Sequence, residues 1–253
     1  MKQISSSEFK SFIYGMMLGD SSIHTNGKEF SSRQVTKDLS YYKFEMIKKH
    51  LPGVKIEIKE YPGYFDGKWT HKPIFQIRAK HRYFEKMYER FYRNGKKVVI
   101  QKVVDSLKPN GFAVLFADDG CSNLIGKEKY LSGKSDRIHA RRFEICTDAF
   151  TYQEVCLIMG SISKFIEIPV EGNMYTAIRK NGNHRIVLNS IAGQKYILKI
   201  WKFFFLRYPS LLYKLDLGYR DGSLENNPYL LNEYSEVYHK IKMHGEFIDR
   251  LKR

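Results

Sequence analysis

Residues 8–20 read EFKSFIYGMMLGD, and this apolar stretch decides the fold. Its small residues Ser11, Gly15 and Gly19 recur at every fourth position, so a helix would place them on one face. A glycine inside a helix costs about 1 kcal/mol relative to alanine, which a sequence tolerates where a second backbone must come close. The stretch ends in an acid, Asp20. The pattern predicts a helix that packs along its small-residue face and carries a carboxylate at its end.

The same theme returns at residues 110–120, NGFAVLFADDG, where a second apolar run ends in Asp119. After each run, the hydrophobic periodicity predicts two strands, a helix, two more strands and a further helix. In the second copy, Thr151 followed by Glu154 gives a capping box that starts one of these helices. Such duplication is typical of a fold assembled from repeated units. The sequence therefore predicts an α+β protein with two pseudo-symmetric αββαββα repeats and antiparallel sheets.

This duplication divides the chain into four segments. Each repeat has roughly 100 residues, which is enough to bury a core of its own. A lysine-rich stretch between the two copies has the character of a connector. We expect an N-terminal repeat at 1–95, a connector at 96–109, a C-terminal repeat at 110–218 and a polar, helical tail at 219–253.

The charge of the chain points to an anionic partner. There are 43 Lys and Arg residues against 27 Asp and Glu, which gives a formal net charge of +16. Nucleic acid and acidic membrane surfaces are the usual partners of such proteins. No apolar run reaches the roughly 20 residues of a membrane span, and the N-terminus lacks the apolar core of a signal peptide. We therefore expect an intracellular protein that does not enter a membrane.

Cysteine and histidine usage argues against two other classes of site. The three cysteines have no CxxC spacing, which disfavours a disulfide framework or a cysteine zinc site. The eight histidines are scattered, without an HExxH or HNH-type cluster. A zinc-dependent or histidine-metal nuclease is therefore not indicated.

The two acids Asp20 and Asp119 suggest a metal site. If the two apolar helices pack side by side, their terminal carboxylates meet, and they would repel each other unless a cation lies between them. An acid at a helix C-terminus also opposes the helix dipole, so its presence in both copies needs a compensating gain. Hard oxygen ligands suit Mg²⁺, which completes its shell with water and phosphate oxygens.

The two motifs resemble those of a known family. Residues 13–21, IYGMMLGDS, and residues 112–120, FAVLFADDG, are similar to the paired motifs of the LAGLIDADG homing endonucleases in their single-chain form. The second motif matches well. In the first, Leu18 replaces the first Asp of the family name and Ser21 replaces the final Gly, but the later acid is present in both. The resemblance extends over about residues 9–216.

The register of the helix seam stays open at this point. The small residues of the second motif are Ala113 and Ala117, one position away from the register of Gly15 and Gly19. A close contact between the motif helices is expected, but the sequence does not say which residues of the second helix make it.

The resemblance implies a metal-dependent DNA endonuclease. Asp20 and Asp119 would be catalytic and would bind the metal, and the backbone carbonyls of Gly19 and Asp118 would add further ligands. The cofactor would be Mg²⁺ or Mn²⁺, with Ca²⁺ supporting DNA binding without cleavage. Each strand of the duplex would be cut once, which gives a staggered break.

The family also places a basic residue near each scissile phosphate. Residues 94–97, NGKK, and residues 213–215, YKL, resemble those positions. By similarity, Lys97 and Lys214 would polarise a water molecule or stabilise charge in the transition state.

The partner would be duplex DNA, bound by a saddle formed from the two sheets. A β-ribbon fits the major groove, where Arg pairs with guanine and Gln with adenine. Because the two repeats differ in sequence, the target would be long and asymmetric and the protein a monomer. The candidates on the polar strand face are Arg33, Gln34, Lys55, Lys59, Gln76, Arg78, Arg141, Arg179 and Arg185.

Two other functions fit the same scaffold. An intron maturase would bind RNA and help splicing, and it would need no cleavage chemistry. A DNA-binding regulator would have a dead site. The presence of both acids and both lysines favours the endonuclease over the maturase, and the same acids argue less strongly against the regulator.

Overall fold

A computed structural model describes residues 5–24, 27–124, 141–215, 233–237, 239–241 and 243. The elements up to the second motif are α1 (Ser6–Leu18), β1 (Ser21–Ile23), β2 (Glu29–Gln34), α2 (Lys37–His50), β3 (Lys55–Tyr61), β4 (Tyr64–Phe65), β5 (Thr70–His71), β6 (Ile74–Lys80), α3 (Arg82–Phe91), β7 (Tyr92–Arg93), β8 (Lys96–Lys97) and α4 (Gln101–Val104). They are followed by α5 (Pro109–Asp119), β9 (Gly120–Leu124), β10 (Arg141–Cys146), α6 (Tyr152–Ile166), β11 (Met174–Ile178), β12 (His184–Leu188), α7 (Ser190–Arg207) and a 3₁₀-helix (Pro209–Leu215).

The α+β class with antiparallel sheets is confirmed. One four-stranded sheet has the order β1-β2-β6-β3, and the other has the order β9-β10-β12-β11. In the first sheet β6 lies between β2 and β3, and in the second sheet β12 lies in the same way between β10 and β11. Every pairing in these two sheets is antiparallel. The common strand order is what the duplicated pattern of elements predicts. The β4–β5 hairpin, which lies between β3 and β6, belongs to the first copy alone among the described residues.

Contacts divide the chain into two compact units. The first contains the described residues up to Asp119 together with Leu206–Ser210. The second contains the described residues 120–205 and those from Leu211 onward. Helix α5 thus packs in the first unit, although in chain order it opens the second copy of the pattern.

Helix starts follow the predicted capping chemistry. Thr151 Oγ1 accepts a hydrogen bond from the Glu154 backbone, and the Glu154 carboxylate accepts one from the Thr151 backbone at 2.8 Å. This confirms the capping box at α6, and Ser5 with Glu8 forms the same motif at α1. Each box satisfies backbone donors that would otherwise lack partners in the first turn.

The core of the first unit lies between its sheet and its helices. Helix α1 is buried on nearly all sides, which explains why its sequence is apolar rather than amphipathic. Every second residue of a strand faces the helices. Among them, Phe30 of β2 stacks on Phe84 of α3, with 4.9 Å between the ring centroids. The other side of the sheet is therefore left for polar residues.

In the second unit, residues 233–237 are helical, and the buried Tyr234 donates its hydroxyl hydrogen to the carbonyl of Leu215 at 2.9 Å. The greater part of the predicted tail lies outside the described residues. Within the described ranges, no helix combines the length and the apolarity that a membrane crossing would need.

Candidate active site

Helices α1 and α5 touch backbone to backbone inside the first unit. A Cβ atom added to Gly15 would lie 2.1 Å from the carbonyl oxygen of Gly111, and one added to Gly111 would lie 2.4 Å from Ser11 Oγ. No side chain fits at either glycine. The small-residue seam predicted for α1 is confirmed. Its partner residue in α5 is Gly111, which settles the register that the sequence left open.

Polar contacts hold the two helices in this register. Ser11 Oγ accepts a hydrogen bond from the backbone N–H of Lys108 at 2.7 Å. The Asn110 side chain donates to the carbonyl of Glu8 at 2.8 Å. These bonds join the start of α5 to the first turns of α1, so the two helices end at the same level.

The acids of both motifs meet where these helices end. Gln34 Nε2 donates to Asp20 Oδ2 at 3.1 Å and to Asp118 Oδ1 at 3.2 Å, so these two oxygens lie within two hydrogen-bond lengths of each other. A Cβ atom at Gly19 would lie 3.1 Å from Asp119 Oδ2, which brings the third carboxylate to the same backbone. We call Asp20, Asp118 and Asp119 the acid cluster.

Lys97 lies beside the acid cluster. Its Nζ donates to the carbonyl of Ser21 at 2.7 Å and to that of Gly19 at 3.2 Å. Burial lowers the pKa of Lys97, and the carboxylates of Asp119, Asp20 and Asp118 act in the opposite direction. The β7–β8 hairpin positions this side chain through a two-residue turn, Asn94-Gly95, in which both residues have positive φ.

A second lysine, Lys43, approaches the acid cluster from α2. Its Nζ lies 2.6 Å from Asp118 Oδ1, and both side chains are fully buried. It also donates to Ser32 Oγ at 3.3 Å. A buried charge is costly without a partner, so Lys43 and Asp118 depend on each other. Sequence reasoning missed Lys43, because nothing in its local pattern separates it from the other basic residues.

Lys214, the other predicted catalytic lysine, lies in the 3₁₀-helix Pro209–Leu215 and belongs to the second unit. Asp20, Asp119 and Lys97 belong to the first. The role of Lys214 stays a prediction.

The donor set at the acid cluster fits a hard divalent cation. Asp20 is exposed and Asp119 is partly exposed, whereas the Asp118 carboxylate is already neutralised by Lys43. Among the residues that the structure describes, no group of three or more His, Cys, Asp or Glu side chains is arranged to hold a metal. Two carboxylates with nearby carbonyl oxygens are the partial shell that Mg²⁺ accepts, because it keeps water and phosphate as its other ligands.

One side of the first-unit sheet is open and polar, and we call it the open face. The pairings Ser31↔Arg78↔Glu57 and Arg33↔Gln76↔Lys59 place alternate strand residues there. Five of the predicted DNA contacts of this unit have the parity of the open face, namely Arg33, Lys55, Lys59, Gln76 and Arg78. Of these, Gln76 is buried, with 3% of its surface exposed. Gln34 has the opposite parity, so its amide faces the acid cluster instead.

A cleft connects the open face to the acid cluster. Asp20 lines it together with polar and charged residues of the first-unit sheet and its connections, which are Ser22, His24, Glu29, Ser31, Arg33, Gln76 and Arg78. Gln34 contacts Asp20 from the buried side. Asp20 is therefore reached from the open face through this cleft.

In the second unit, the predicted arginines pair with acids. Arg185 donates twice to the Asp148 carboxylate, at 2.9 and 2.7 Å, and these bonds hold the pKa of Asp148 below its usual value. Arg179 lies 3.4 Å from the Glu144 carboxylate. The same carboxylate pairs at 3.0 Å with Arg142, which is not among the predicted DNA contacts. The side chain of Arg141 lies outside the described residues.

Comparison with known proteins places the chain in a family. The model of the LAGLIDADG DNA endonuclease family matches residues 10–202, and the chain belongs to that family. No curated protein sequence matches the chain.

Solved structures resemble this chain in fold. The homing endonuclease I-WcaI, bound to its DNA recognition sequence, matches with a TM-score of 0.60 at 17% identity, over 84% of this chain and 88% of that chain. The N-terminal LAGLIDADG domain of DUF199/WhiA matches with a TM-score of 0.49 at 14% identity, over 85% of this chain and 90% of that chain.

Proposed function

We propose that this protein is a site-specific endonuclease that hydrolyses one phosphodiester in each strand of duplex DNA, with divalent metal at paired aspartates. One observation carries the proposal. The two motif helices pack so closely that Asp20 and Asp119 both lie near Lys97, and Asp20 also lines a cleft in the polar sheet face. Membership in a DNA endonuclease family supports the same conclusion.

The metal would be held by the carboxylates of Asp20 and Asp119, with the backbone carbonyls of Gly19 and Asp118 as additional oxygen ligands. A bound Mg²⁺ or Mn²⁺ supplies an activated water and neutralises charge on the phosphate. Gln34 fixes the Asp20 carboxylate by donating to a single oxygen, which leaves the other oxygen available.

The two lysines would have different tasks. Lys97 holds a positive charge next to the acids, where it would stabilise negative charge on the scissile phosphate. Lys43 is buried and cannot reach DNA. It compensates the Asp118 charge, so the cluster presents two carboxylates rather than three. By the family resemblance, Lys214 would serve the second scissile phosphate.

The open face would bind the major groove. Arg33, Arg78 and Gln76 have side chains suited to reading base edges, and Lys55 and Lys59 would contact phosphates. In the second unit Arg179 and Arg185 would exchange their acid partners for DNA. Because the two sheets differ in sequence, the target would be long and asymmetric and one chain would suffice to bind it.

The test is cleavage of a randomised duplex library in Mg²⁺, followed by sequencing of the ends. The proposal expects a staggered break at one dominant, asymmetric sequence. A splicing cofactor would bind intron RNA and leave every duplex intact, and that result would overturn the proposal. Asp20→Asn in the same assay distinguishes this activity from a contaminating nuclease, because the variant should not cut.

A further inference from the structure

Four exposed aromatic rings lie close together in sequence, at the end of β3 and in the β4–β5 hairpin that follows it. Tyr61, Tyr64, Phe65 and Trp69 are 44%, 62%, 66% and 63% exposed, and all four belong to the end of β3 or to the β4–β5 hairpin. We call these four residues the aromatic tip. Proteins rarely leave large apolar groups together in solvent unless a partner covers them. The function proposed above does not use these rings.

The hairpin that carries the rings is held by its own polar contacts. The Asp66 carboxylate accepts hydrogen bonds from the backbone of Trp69 at 2.6 Å, from that of Lys68 at 2.9 Å and from the His71 ring at 2.8 Å. His71 in turn stacks on Tyr64, with 4.4 Å between ring centroids. The rings are therefore presented by a defined turn, which reduces the entropic cost of binding.

A glycine sets the junction between the hairpin and the sheet. A Cβ atom added to Gly63 would lie 2.5 Å from the carbonyl oxygen of His71 and 3.1 Å from the ring of Pro73. A side chain at this position would collide with His71 and Pro73, so the turn requires glycine. This junction ends the regular β3–β6 ladder and begins the separate β4–β5 pair.

The aromatic tip adjoins the open face through Tyr61. Tyr61 pairs with Ile74, two positions beyond the Lys59↔Gln76 pair, so it lies on the same side of the sheet. Its hydroxyl donates to Gln76 Oε1 at 3.1 Å, and Gln76 donates onward to Ser31. A ligand that covers Arg33, Gln76 and Lys59 would reach the tip without leaving this surface.

The surrounding charge favours a polyanion over a protein partner of ordinary composition. Lys68 lies over the Trp69 ring at 5.7 Å from its centroid, and Lys72, directly after β5, is exposed. The carboxylate of Asp66 within the hairpin is already engaged by hydrogen bonds of the hairpin itself. Lysines interleaved with exposed rings suit nucleic acid, because the cations pair with phosphates and the rings stack on bases.

We propose that the aromatic tip contacts the bases of duplex DNA beyond the base pairs that the strands cover, with Phe65 and Trp69 as the inserting or stacking rings. The proposal rests on the DNA binding proposed above and adds a contact that is apolar rather than electrostatic. Proteins that insert apolar side chains between base steps unstack the duplex locally. The tip would therefore anchor one end of the site by stacking.

Tryptophan fluorescence tests the contact directly, because the chain has two tryptophans, Trp69 and Trp201. In Trp201→Phe the emission reports the tip alone, and in Trp69→Phe it reports helix α7 alone. Mixed-sequence duplex DNA at low salt should quench Trp69 and shield it from acrylamide, while Trp201 stays unchanged. Binding is followed in parallel by anisotropy of labelled DNA. Normal binding with unchanged Trp69 emission would overturn the tip proposal and leave DNA binding intact, whereas absent binding would remove both.

A paired variant tests the nature of the contact. Phe65→Ala with Trp69→Ala should weaken DNA binding by about tenfold or more, the effect of removing a stacked base. The dependence of log affinity on log salt should keep its slope, because every phosphate stays bound by the same cations. The matched control is Phe205→Ala with Leu206→Ala, which removes exposed apolar groups from α7 and should bind as the parent does.

Three outcomes would refute this contact. They are parent-like affinity of the tip variant, a changed salt slope, or a dimer in sedimentation that the tip substitutions dissolve. The last result would assign the rings to a second copy of the chain. Stronger quenching of Trp69 by a single-stranded RNA than by the duplex would likewise count against duplex DNA as the partner.

Discussion

Lys43 Nζ lies 2.6 Å from Asp118 Oδ1, and both side chains are completely shielded from solvent. Asp118 immediately precedes the second motif acid, and Gln34 joins it to the first. The interior of the protein thus supplies one cation to the acid cluster. The consequence is that the Asp118 carboxylate is neutralised inside the protein by Lys43.

The buried ion pair predicts a non-additive effect on stability. Lys43→Met leaves the Asp118 carboxylate buried without its cation, which should lower the free energy of unfolding by about 3–5 kcal/mol. Lys43→Met combined with Asp118→Asn should recover a large part of that loss, since no unpaired charge remains. Urea unfolding measures both. Lys49→Met, at an exposed position of the same helix, is the control and should change little.

The helix seam predicts that Gly15 tolerates no side chain. Gly15→Ala would force its Cβ into the Gly111 carbonyl, and overpacking of this kind typically costs about 1–3 kcal/mol or more. Gly160→Ala is the matched control, because nothing lies within 4 Å of a Cβ there and alanine favours α6 by up to about 1 kcal/mol. Thermal unfolding should separate the two in sign. Equal stability of Gly15→Ala and the parent would contradict the close approach.

The sequence predicts the seam of α1 and the meeting of the acids, because both depend on local features. The spacing of Ser11, Gly15 and Gly19 marks one face of a helix, and the repeated motif supplies its partner. The sequence does not single out Gly111, since it lies one position before the second motif and only the three-dimensional register shows its contact with Ser11.

Strand parity is the second thing that the sequence could not fix. Arg33 and Gln34 are neighbours, and both were predicted to contact DNA. Successive strand residues point to opposite faces, so only one of them can lie on the open face. The pairing with β6 puts Arg33 there and leaves Gln34 facing the carboxylates. The role of Lys43 could not be predicted from the sequence either, because its contact with Asp118 joins residues from distant parts of the chain.

Salt dependence should identify the phosphate contacts of the open face. Lys55→Ala or Lys59→Ala should weaken DNA binding and reduce the slope of log affinity against log salt by about 1 for each phosphate that the variant no longer neutralises. Lys49→Ala, on the helix side of the unit, should leave the slope unchanged. Titrations at several salt concentrations provide the measurement, and an unchanged slope in both open-face variants would refute their assignment.

The Asp148–Arg185 pair predicts a small, pH-dependent contribution to stability. The hydrogen bonds from Arg185 lower the pKa of Asp148 below its ordinary value of 3.8, so the stabilisation is present above that pH and disappears in acid. Asp148→Asn should therefore be less stable than the parent at neutral pH, by less than about 1 kcal/mol because the pair is partly exposed. In acid, below the lowered pKa, the difference should vanish. A difference that persists there would contradict the electrostatic origin.

Lys97 should matter for cleavage more than for binding. Lys97→Met removes the ammonium that contacts the Gly19 and Ser21 carbonyls, and removal of such a stabilising group typically lowers the rate by about 100-fold or more. Lys96→Met changes the exposed neighbour and should cut almost normally. Single-turnover cleavage of the selected target gives both rates, and similar rates for the two variants would remove Lys97 from the site.

The most direct test of the account compares Asp20→Asn, Asp119→Asn and the exposed control Asp105→Asn on the selected target. Each is assayed for cleavage in Mg²⁺ and for DNA affinity in Ca²⁺. We expect both site variants to bind DNA with near-parent affinity and to cut neither strand, while Asp105→Asn cuts as the parent does. Full cleavage by either site variant would contradict the central claim that these two aspartates together hold the catalytic metal.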